Sequence, residues 1–377
     1  MSIYYVCEYS NEKVKDRNLS FSPAGITKME YMIKLLSSFG EGLIVYSTSR
    51  TLNKTEKYKM HQFVEGKINY IFRATKGRKN KVGRKLEFVS AKQKLFHLLM
   101  KLKKEDIVFV YHENYYLKTI LFAHKIKKFN LVYEVEEIYH VAANNPQKLI
   151  DNEIKYLKQA DKYVLSTELL NEYINKENKP NIIIHSSYDI ENVIVKNNRF
   201  DDDKIHLVYA GTLEKIKAGA YNSIELAKYL DQNYVIHILG FGSEKEIQLV
   251  LNLIEQSNNV NNCKVVFEGV KTGEDYFRFL QKCQIGLSLQ NPTDSFNFTS
   301  FPSKILVYLQ NDLRVVSYKL PVLEKSSLSK YLLLCDYDNK IVAKNIKNTD
   351  CYKKCDFAQI ISDLDKKAYA DIQKLVK

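Results

Sequence analysis

Short apolar runs bounded by polar residues alternate along this chain with longer stretches whose apolar positions recur at helical spacing. IYYVCEYS (3–10) and GLIVYSTS (42–49) are runs of the first kind. Between them, SFSPAGITKMEYMIKLLSSFG (20–40) sets Ile26, Met29, Met32, Ile33, Leu35 and Leu36 on one helical period. DIVFVYH (106–112), FNLVYEVEE (129–137), DKYVLST (161–167) and PNIIIHSS (180–187) predict further strands, with helices over 116–128 and 152–160. A polar bridge follows, KNNRFDDDK (196–204), and the rhythm restarts. Strands are predicted over 205–212, 234–242, 263–269, 285–290 and 313–318, with helices near 219–230, 243–257 and 272–282 and another after Pro302. Continuous apolar strands alternating with helices predict mostly parallel sheets covered on both faces, an α/β protein. The expected domains are 1–200 and 201–350. Residues 351–377 form a terminal segment whose apolar period suits a helix crossing back to the first domain.

Composition supports two cores: 377 residues are 45% hydrophobic. No apolar run approaches the roughly eighteen residues of a membrane span. MSIYYVCEYS has no basic region ahead of its apolar run, so no signal peptide is expected. The six cysteines form no CxxC pair, and Cys351 and Cys355 stand four apart without a second pair. Reduced thiols in a cytoplasmic protein are expected, and no metal site. Charge changes the picture more. The formal net charge is +13, and residues 51–100 alone hold 13 basic against 3 acidic residues. The run KGRKNKVGRK (76–85) lies there. It would attract phosphate or an anionic membrane surface, or it is only a solvated lysine-rich face. Nucleic acid is not expected, because no recognition signature accompanies the charge.

NFTSFPSKILVYL (297–309) carries the sharpest chemical signal. Pro302 suits a first helical turn, where its missing N–H is not needed. Thr299 or Ser300 is placed to cap that turn. Free N–H groups, the Ser303 hydroxyl and a mobile Lys304 would then converge on an anion such as a diphosphate. The plainer alternative is an ordinary capped helix with an exposed lysine. Gly211 closes a predicted strand, with Lys215 and Lys217 just beyond it. Ligands of open α/β sheets bind at strand carboxyl ends, which here also carry Thr212, Glu268 and Gly269. Gly240-Phe241-Gly242 lacks the third glycine of a dinucleotide fingerprint, and no acidic ribose clamp follows at the usual distance, which argues against a nicotinamide dehydrogenase.

With SFPSKILVYLQNDLRVVS (300–317) and HLVYAGTLEK (206–215) in place, the chain resembles the two-domain GT-B glycosyltransferases, specifically the retaining family four type found in bacterial polysaccharide assembly. The likeness in order and spacing covers nearly the whole chain and is strongest from Ile205 to Val316. It implies a GT-B architecture, two Rossmann-like domains facing a central cleft, with the donor on the second domain. The resemblance puts Gly211, Thr212, Lys215 and Lys217 against the diphosphate, together with the helix at Pro302, Ser303 and Lys304. It puts the nucleobase near Phe267, Glu268, Gly269 and Val270, and brings the loop Pro23-Ala24-Gly25 toward the donor. The usual histidine near the sugar falls among EVEEIYH (134–140), making Glu136, Glu137 and His140 catalytic candidates, with His112 as another. That replacement of the histidine is one departure, and there is a second. The family's two glutamates, eight apart, fall on Thr299 and Val307, and neither is acidic.

The implied activity moves a hexose from a UDP-sugar or other nucleoside-diphosphate sugar to a hydroxyl of a glycan, lipid-linked or protein acceptor. No separate cofactor and no metal are implied. The implied location is cytoplasmic, peripheral at the inner membrane face through residues 76–85, with the oligomeric state open. The alternative is a catalytically silent GT-B subunit that binds and stabilises a partner glycosyltransferase, which the missing glutamates favour. A nucleotide-sugar epimerase of similar two-domain form is less favoured, for want of opposed catalytic acids.

Overall fold

Ile3–Cys7 (β1) and Leu43–Ser47 (β2) lie side by side in parallel, Ile3 opposite Leu43 and Cys7 opposite Ser47. The helix Pro23–Ser37 connects them. Its start is local chemistry: Pro23 occupies the first turn, and the Ser22 hydroxyl accepts from Gly25 N at 3.4 Å. Such βαβ steps recur through the computed structural model, which describes residues 1–40, 42–189, 199–350 and 356–377. The chain divides into two units, Met1–Ser187 with Lys367–Lys377, and Tyr188–Lys366.

The first unit continues with Lys57–Tyr58 (β3), His61–Glu65 (β4), Ile68–Phe72 (β5), Thr75–Lys76 (β6), Ile107–Tyr111 (β7), Asn130–Val135 (β8), Lys162–Leu165 (β9) and Asn181–Ile183 (β10). Among the described residues its main sheet has the order β10-β9-β8-β7-β1-β2-β5-β4. All neighbours are parallel except the edge strand β4, which runs antiparallel to β5. β3 and β6 form a separate antiparallel ribbon. The strand order reverses between β1 and β7.

The second unit holds Ile205–Thr212 (β11), Tyr234–Phe241 (β12), Lys264–Gly269 (β13), Ile285–Ser288 (β14), Arg314–Tyr318 (β15) and Leu332–Cys335 (β16). Their order is β13-β12-β11-β14-β15-β16, parallel throughout. This is the doubly wound arrangement, with its reversal between β11 and β14. Each sheet is sealed by its own apolar cluster, as strands buried on both faces require.

The strands expected from apolar runs are present, mostly within a residue or two at their ends, but 3–10 stops at Cys7 and 180–187 stops at Ile183. Residues 57–76 were not read as strands. β4 is almost wholly exposed and shows no alternation, so hydrophobic pattern cannot reveal it. The helices Lys81–Leu99 and Asn339–Lys347 and the strand β16 were also missed. Of the bridge 196–204, residues 196–198 lie outside the described residues, as do Cys351 and Cys355. The other four cysteines are buried free thiols. The helix Phe357–Val376 is shared: residues up to Lys366 belong to the second unit and those from Lys367 to the first.

Candidate functional site

In the second unit the carboxyl ends of β11 and β14 meet where the strand order reverses. Tyr308, on the short helix Lys304–Gln310, ties them together. Its hydroxyl accepts from Ala210 N at 2.8 Å and donates to Leu287 O at 3.4 Å. The ring packs against Gly286, where an added Cβ would come within 2.4 Å of it. Tyr209 does related work three residues before the end of β11, donating to Thr212 O at 2.8 Å. Over its ring sits the Lys304 ammonium, 4.3 Å from the centroid. A Cβ on Gly211 would stand 3.0 Å from the Tyr209 hydroxyl and 3.1 Å from Lys304 Nζ. Glycine at 211 therefore leaves the space in front of the strand end and the ammonium unfilled.

Lys304 keeps partial solvent exposure, yet its ammonium is enclosed by protein. Among the described residues no carboxylate pairs with it. Desolvation, then the nearby Lys217, lower its pKa to about 7. A cation kept without a counter-ion at the reversal of a parallel sheet is chemically suited to receive an anion. At the neighbouring strand ends, Gly269 has φ +67 with open space on its Cβ side. Glu268 meets His237 Nδ1 at 2.9 Å and Lys271 Nζ at 3.4 Å. His237 Nε2 in turn meets His206 Nδ1 at 2.8 Å, and His206 Nε2 meets Asp202 at 2.8 Å.

The first unit gathers acids at its own carboxyl edge. Glu134 is fully buried and accepts from the Tyr5 hydroxyl at 2.7 Å. Burial raises its pKa to about 8, with Lys28 opposing and Glu136 reinforcing. Lys28 is itself buried, donating to Ile184 O at 2.5 Å and standing 3.6 Å from Glu136. Burial also raises the Glu136 pKa, against the pull of Lys28. Gly25 opens toward the Tyr111 hydroxyl, which would lie 3.4 Å from a Cβ there. Glu8, just past β1, is raised to about 7 by burial and by Glu113, with Arg50 and Arg73 opposing. A carboxyl titrating there is suited to moving a proton near neutral pH.

No protein-family model and no curated protein sequence matches the chain. Solved structures do. A trehalose-6-phosphate structure from E. coli bound with UDP-2-fluoro glucose matches with a TM-score of 0.68 at 10% identity, covering 100% of this chain and 99% of that one. The α,α-trehalose 6-phosphate synthase of Burkholderia multivorans matches with a TM-score of 0.67 at 10% identity, covering 99% and 96%. Anabaena HepE in complex with UDP and glucose matches with a TM-score of 0.63 at 12% identity, again covering 99% and 96%. The fold is GT-B.

Within this GT-B fold the expected residues fall as follows. Gly211, Thr212 and Lys304 come together at the second unit's edge, and Lys215 stands exposed on the 3-10 turn that follows. Lys217 shares that turn and pairs with Glu214 at 3.3 Å. Two expectations for the 297–309 stretch need correction. Neither Thr299 nor Ser300 caps the helix; Ser303 holds the N-cap position in an αR conformation, without a side-chain cap. Thr299 is buried and closes the 3-10 turn Ser295–Phe298. Lys304 is not a freely mobile surface lysine, since it packs on Tyr209. Ser303 is exposed and Val307 half-buried.

In the first unit, Glu136 and Glu137 stand at the end of β8 beside Tyr111. His112 is turned inward and fully buried. It stacks on Tyr139 at 4.7 Å, with Nε2 3.0 Å from Asn114 Oδ1 and 3.2 Å from Glu153 Oε1. Burial pushes the Glu153 carboxyl up, but His112 and the backbone N–H groups of Tyr139 and His140 outweigh it and hold the carboxyl below its usual range. This pair therefore fixes the turn carrying Tyr139 and His140, whose own ring meets Asn145 at 3.0 Å. Sequence reading missed Tyr209, Tyr308, Lys28 and Glu8. The aromatics read as core, and the partners of Lys28 and Glu8 are remote in sequence.

Proposed function

We propose that the protein is a glycosyltransferase that binds a nucleoside-diphosphate sugar at the carboxyl edge of the second unit. The observation that carries this is Lys304, held beside Gly211 without a counter-ion. The GT-B fold supports it, and UDP-bound examples among the similar structures favour a UDP-sugar as donor. The leaving diphosphate would gain charge as the glycosidic bond breaks. Lys304 and the backbone around Gly211 would already be in place to stabilise that charge. The nucleobase is assigned to the open face of Gly269 near Glu268, with Thr212, Lys215 and Ser303 completing the donor contacts. Glu136 or Glu137, joined by Glu8, would orient or deprotonate an acceptor hydroxyl on a glycan, lipid-linked or protein acceptor. Retention, a hexose as the group transferred and membership of family four rest on the sequence resemblance. So does placement in the cytoplasm against the membrane.

A silent GT-B subunit is the second reading. It is favoured by Thr299 and Val307, which leave no carboxylate at either position where the family has glutamate. A melting-temperature panel with UDP, GDP, TDP and CMP, followed by hydrolysis and transfer assays on the sugar form of the best ligand, separates the two. UDP at one hundred times its dissociation constant should add about 2.7 kcal/mol, a shift of several degrees. No shift with any nucleotide at millimolar concentration would sink donor binding. Binding without turnover would select the silent subunit.

A further inference from the structure

The end of β6 with the residues after it, the loop after β2 and the start of the helix Lys81–Leu99 enclose a cavity of about 380 Å³. Its walls carry Arg50, Lys54, Lys76, Arg78, Lys79 and Arg84. Glu87 is the sole acid lining it, and its carboxylate is already engaged. Arg73 Nη1 donates to it at 2.7 Å and the Thr75 hydroxyl at 3.0 Å, both within the buried interior. Among the described residues none of the six wall cations pairs with a carboxylate. Arg78 Nε is buried and has no protein acceptor. The wall is built tightly, since a Cβ on Gly77 would lie 1.9 Å from Asn53 O. Only glycine lets the strand end carrying Lys76 and Arg78 press against residues 53–54.

A second cavity of about 410 Å³ adjoins the first, sharing Lys54, Lys76, Arg78 and Lys79 and adding Val82 and Leu86. Val82, Leu86 and Val89 are 68%, 58% and 52% exposed. Their spacing sets them on one face of the helix, flanked by exposed Lys81 and Lys85. A cationic cavity thus opens onto an apolar stripe that no described residue covers.

We propose that this cavity and stripe bind a phosphate-headed amphiphile, with the phosphate among the six cations and the hydrocarbon along Val82, Leu86 and Val89. Three features select this class. Arginines pair with phosphate oxygens in a two-pronged geometry, and a phosphomonoester or diphosphate brings enough charge to answer several cations at once. A soluble phosphate would use the cations and leave the stripe in water, whereas a lipid uses both. A nucleic acid strand would call for stacking aromatics, and none lines either cavity. The site uses no residue of the donor edge and stands independently of the glycosyl-transfer reading.

The test floats the whole protein with phosphatidylcholine vesicles containing phosphatidic acid or, at matched charge, phosphatidylserine. Phosphatidic acid should bind about tenfold more tightly, because its phosphomonoester can enter the cavity. Millimolar inorganic pyrophosphate should displace the protein. Arg78→Ala with Arg84→Ala should weaken both phosphatidic acid and pyrophosphate binding about tenfold, while its melting temperature and UDP affinity stay at wild-type values. Val82→Ser with Leu86→Ser should weaken vesicle binding and leave pyrophosphate affinity by calorimetry unchanged. Equal binding to both vesicle types, insensitive to pyrophosphate, would reduce the feature to general electrostatic attraction and overturn the proposal. Pyrophosphate binding without vesicle binding would overturn the amphiphile in favour of a soluble phosphate. Pyrophosphate binding lost in Lys304→Ala but kept in the arginine variant would move the phosphate to the donor edge.

Discussion

Lys304 is held under conditions that oppose its charge, desolvated and beside Lys217. Lys304→Met keeps a flexible apolar chain on Tyr209 and removes the desolvated ammonium. The melting temperature of the free protein should rise at or below pH 7, while UDP affinity falls by about 1.5–3 kcal/mol, the contribution of a charge-assisted contact. Calorimetry and melting curves on the same preparations check both. Its pKa near 7 adds a pH signature. Below that value the ammonium is already charged when the diphosphate arrives. Above it, binding must take up a proton, so affinity should fall by up to about tenfold per pH unit. Subtracting the Lys304→Met profile removes the ligand's own titration. A flat difference would leave Lys304 out of the site.

Glu134 behaves oppositely. Its folded pKa, about 8, lies above the ordinary carboxyl value of 4.5. Its favourable contribution is therefore complete below 4.5 and is lost as pH rises through 8. Glu134→Gln keeps an acceptor for the Tyr5 hydroxyl, so it should gain melting temperature over wild type progressively from pH 5 to 9. A constant difference would show that Glu134 is already ionised in the native state across that range, as it is in the unfolded chain.

Among the elements, the pairing of β14 with the helix Lys304–Gln310 depends on one missing side chain. Gly286→Ala would push the Tyr308 ring, whose Cγ would be 2.4 Å from the new methyl. Overpacking of this kind costs about 1–3 kcal/mol, and here it also disturbs the bond from Ala210 N beside Gly211. Reduced stability together with weakened UDP binding is expected, from denaturant titration and calorimetry. An unchanged UDP affinity would uncouple Tyr308 from the strand end.

The same elements show what the sequence could reveal. Runs such as IHLVYAGT are apolar on both faces and bounded by polar residues, so β11 was legible almost to the residue. Gly211 and Lys304 were legible because glycine at a strand end and lysine after proline are unusual choices for packing. Tyr209 and Tyr308 were not, since an aromatic on an apolar period looks like core until its hydroxyl is seen to bridge strands. Lys28 stands off the apolar period of its helix, and its bond to Ile184 O, remote in sequence, is what shows it to be interior. The basic run 76–85 was legible as charge, but its concavity comes from the backbone approach at Gly77, which composition does not record.

At the level of the molecule, the helix Phe357–Val376 gives the first unit a segment distant in sequence. Tyr369 packs on Phe39 at 4.8 Å, and Lys162 donates to Leu375 O at 2.6 Å. Ile372 and Leu375 are buried. A stop after Lys366 removes both, at about 2–5 kcal/mol for each large apolar side chain, against a total domain stability of about 5–15 kcal/mol. Calorimetry should show the first unit melting earlier, with the second unit's transition retained. Coincident transitions in the truncated and whole protein would deny the segment that weight.

That shared helix also sets an order of events during synthesis. A ribosome adds about 5–20 residues per second, and domains ordinarily fold as they emerge, the leading one first. Here the leading unit emerges long before residues 367–377, which follow the entire sequence of the second. Its first 187 residues must wait, with the surface around Phe39 and Lys162 still uncovered, until translation has passed through everything between. A polypeptide interrupted anywhere in the second unit would keep that surface bare, marking it as unfinished to chaperones and proteases.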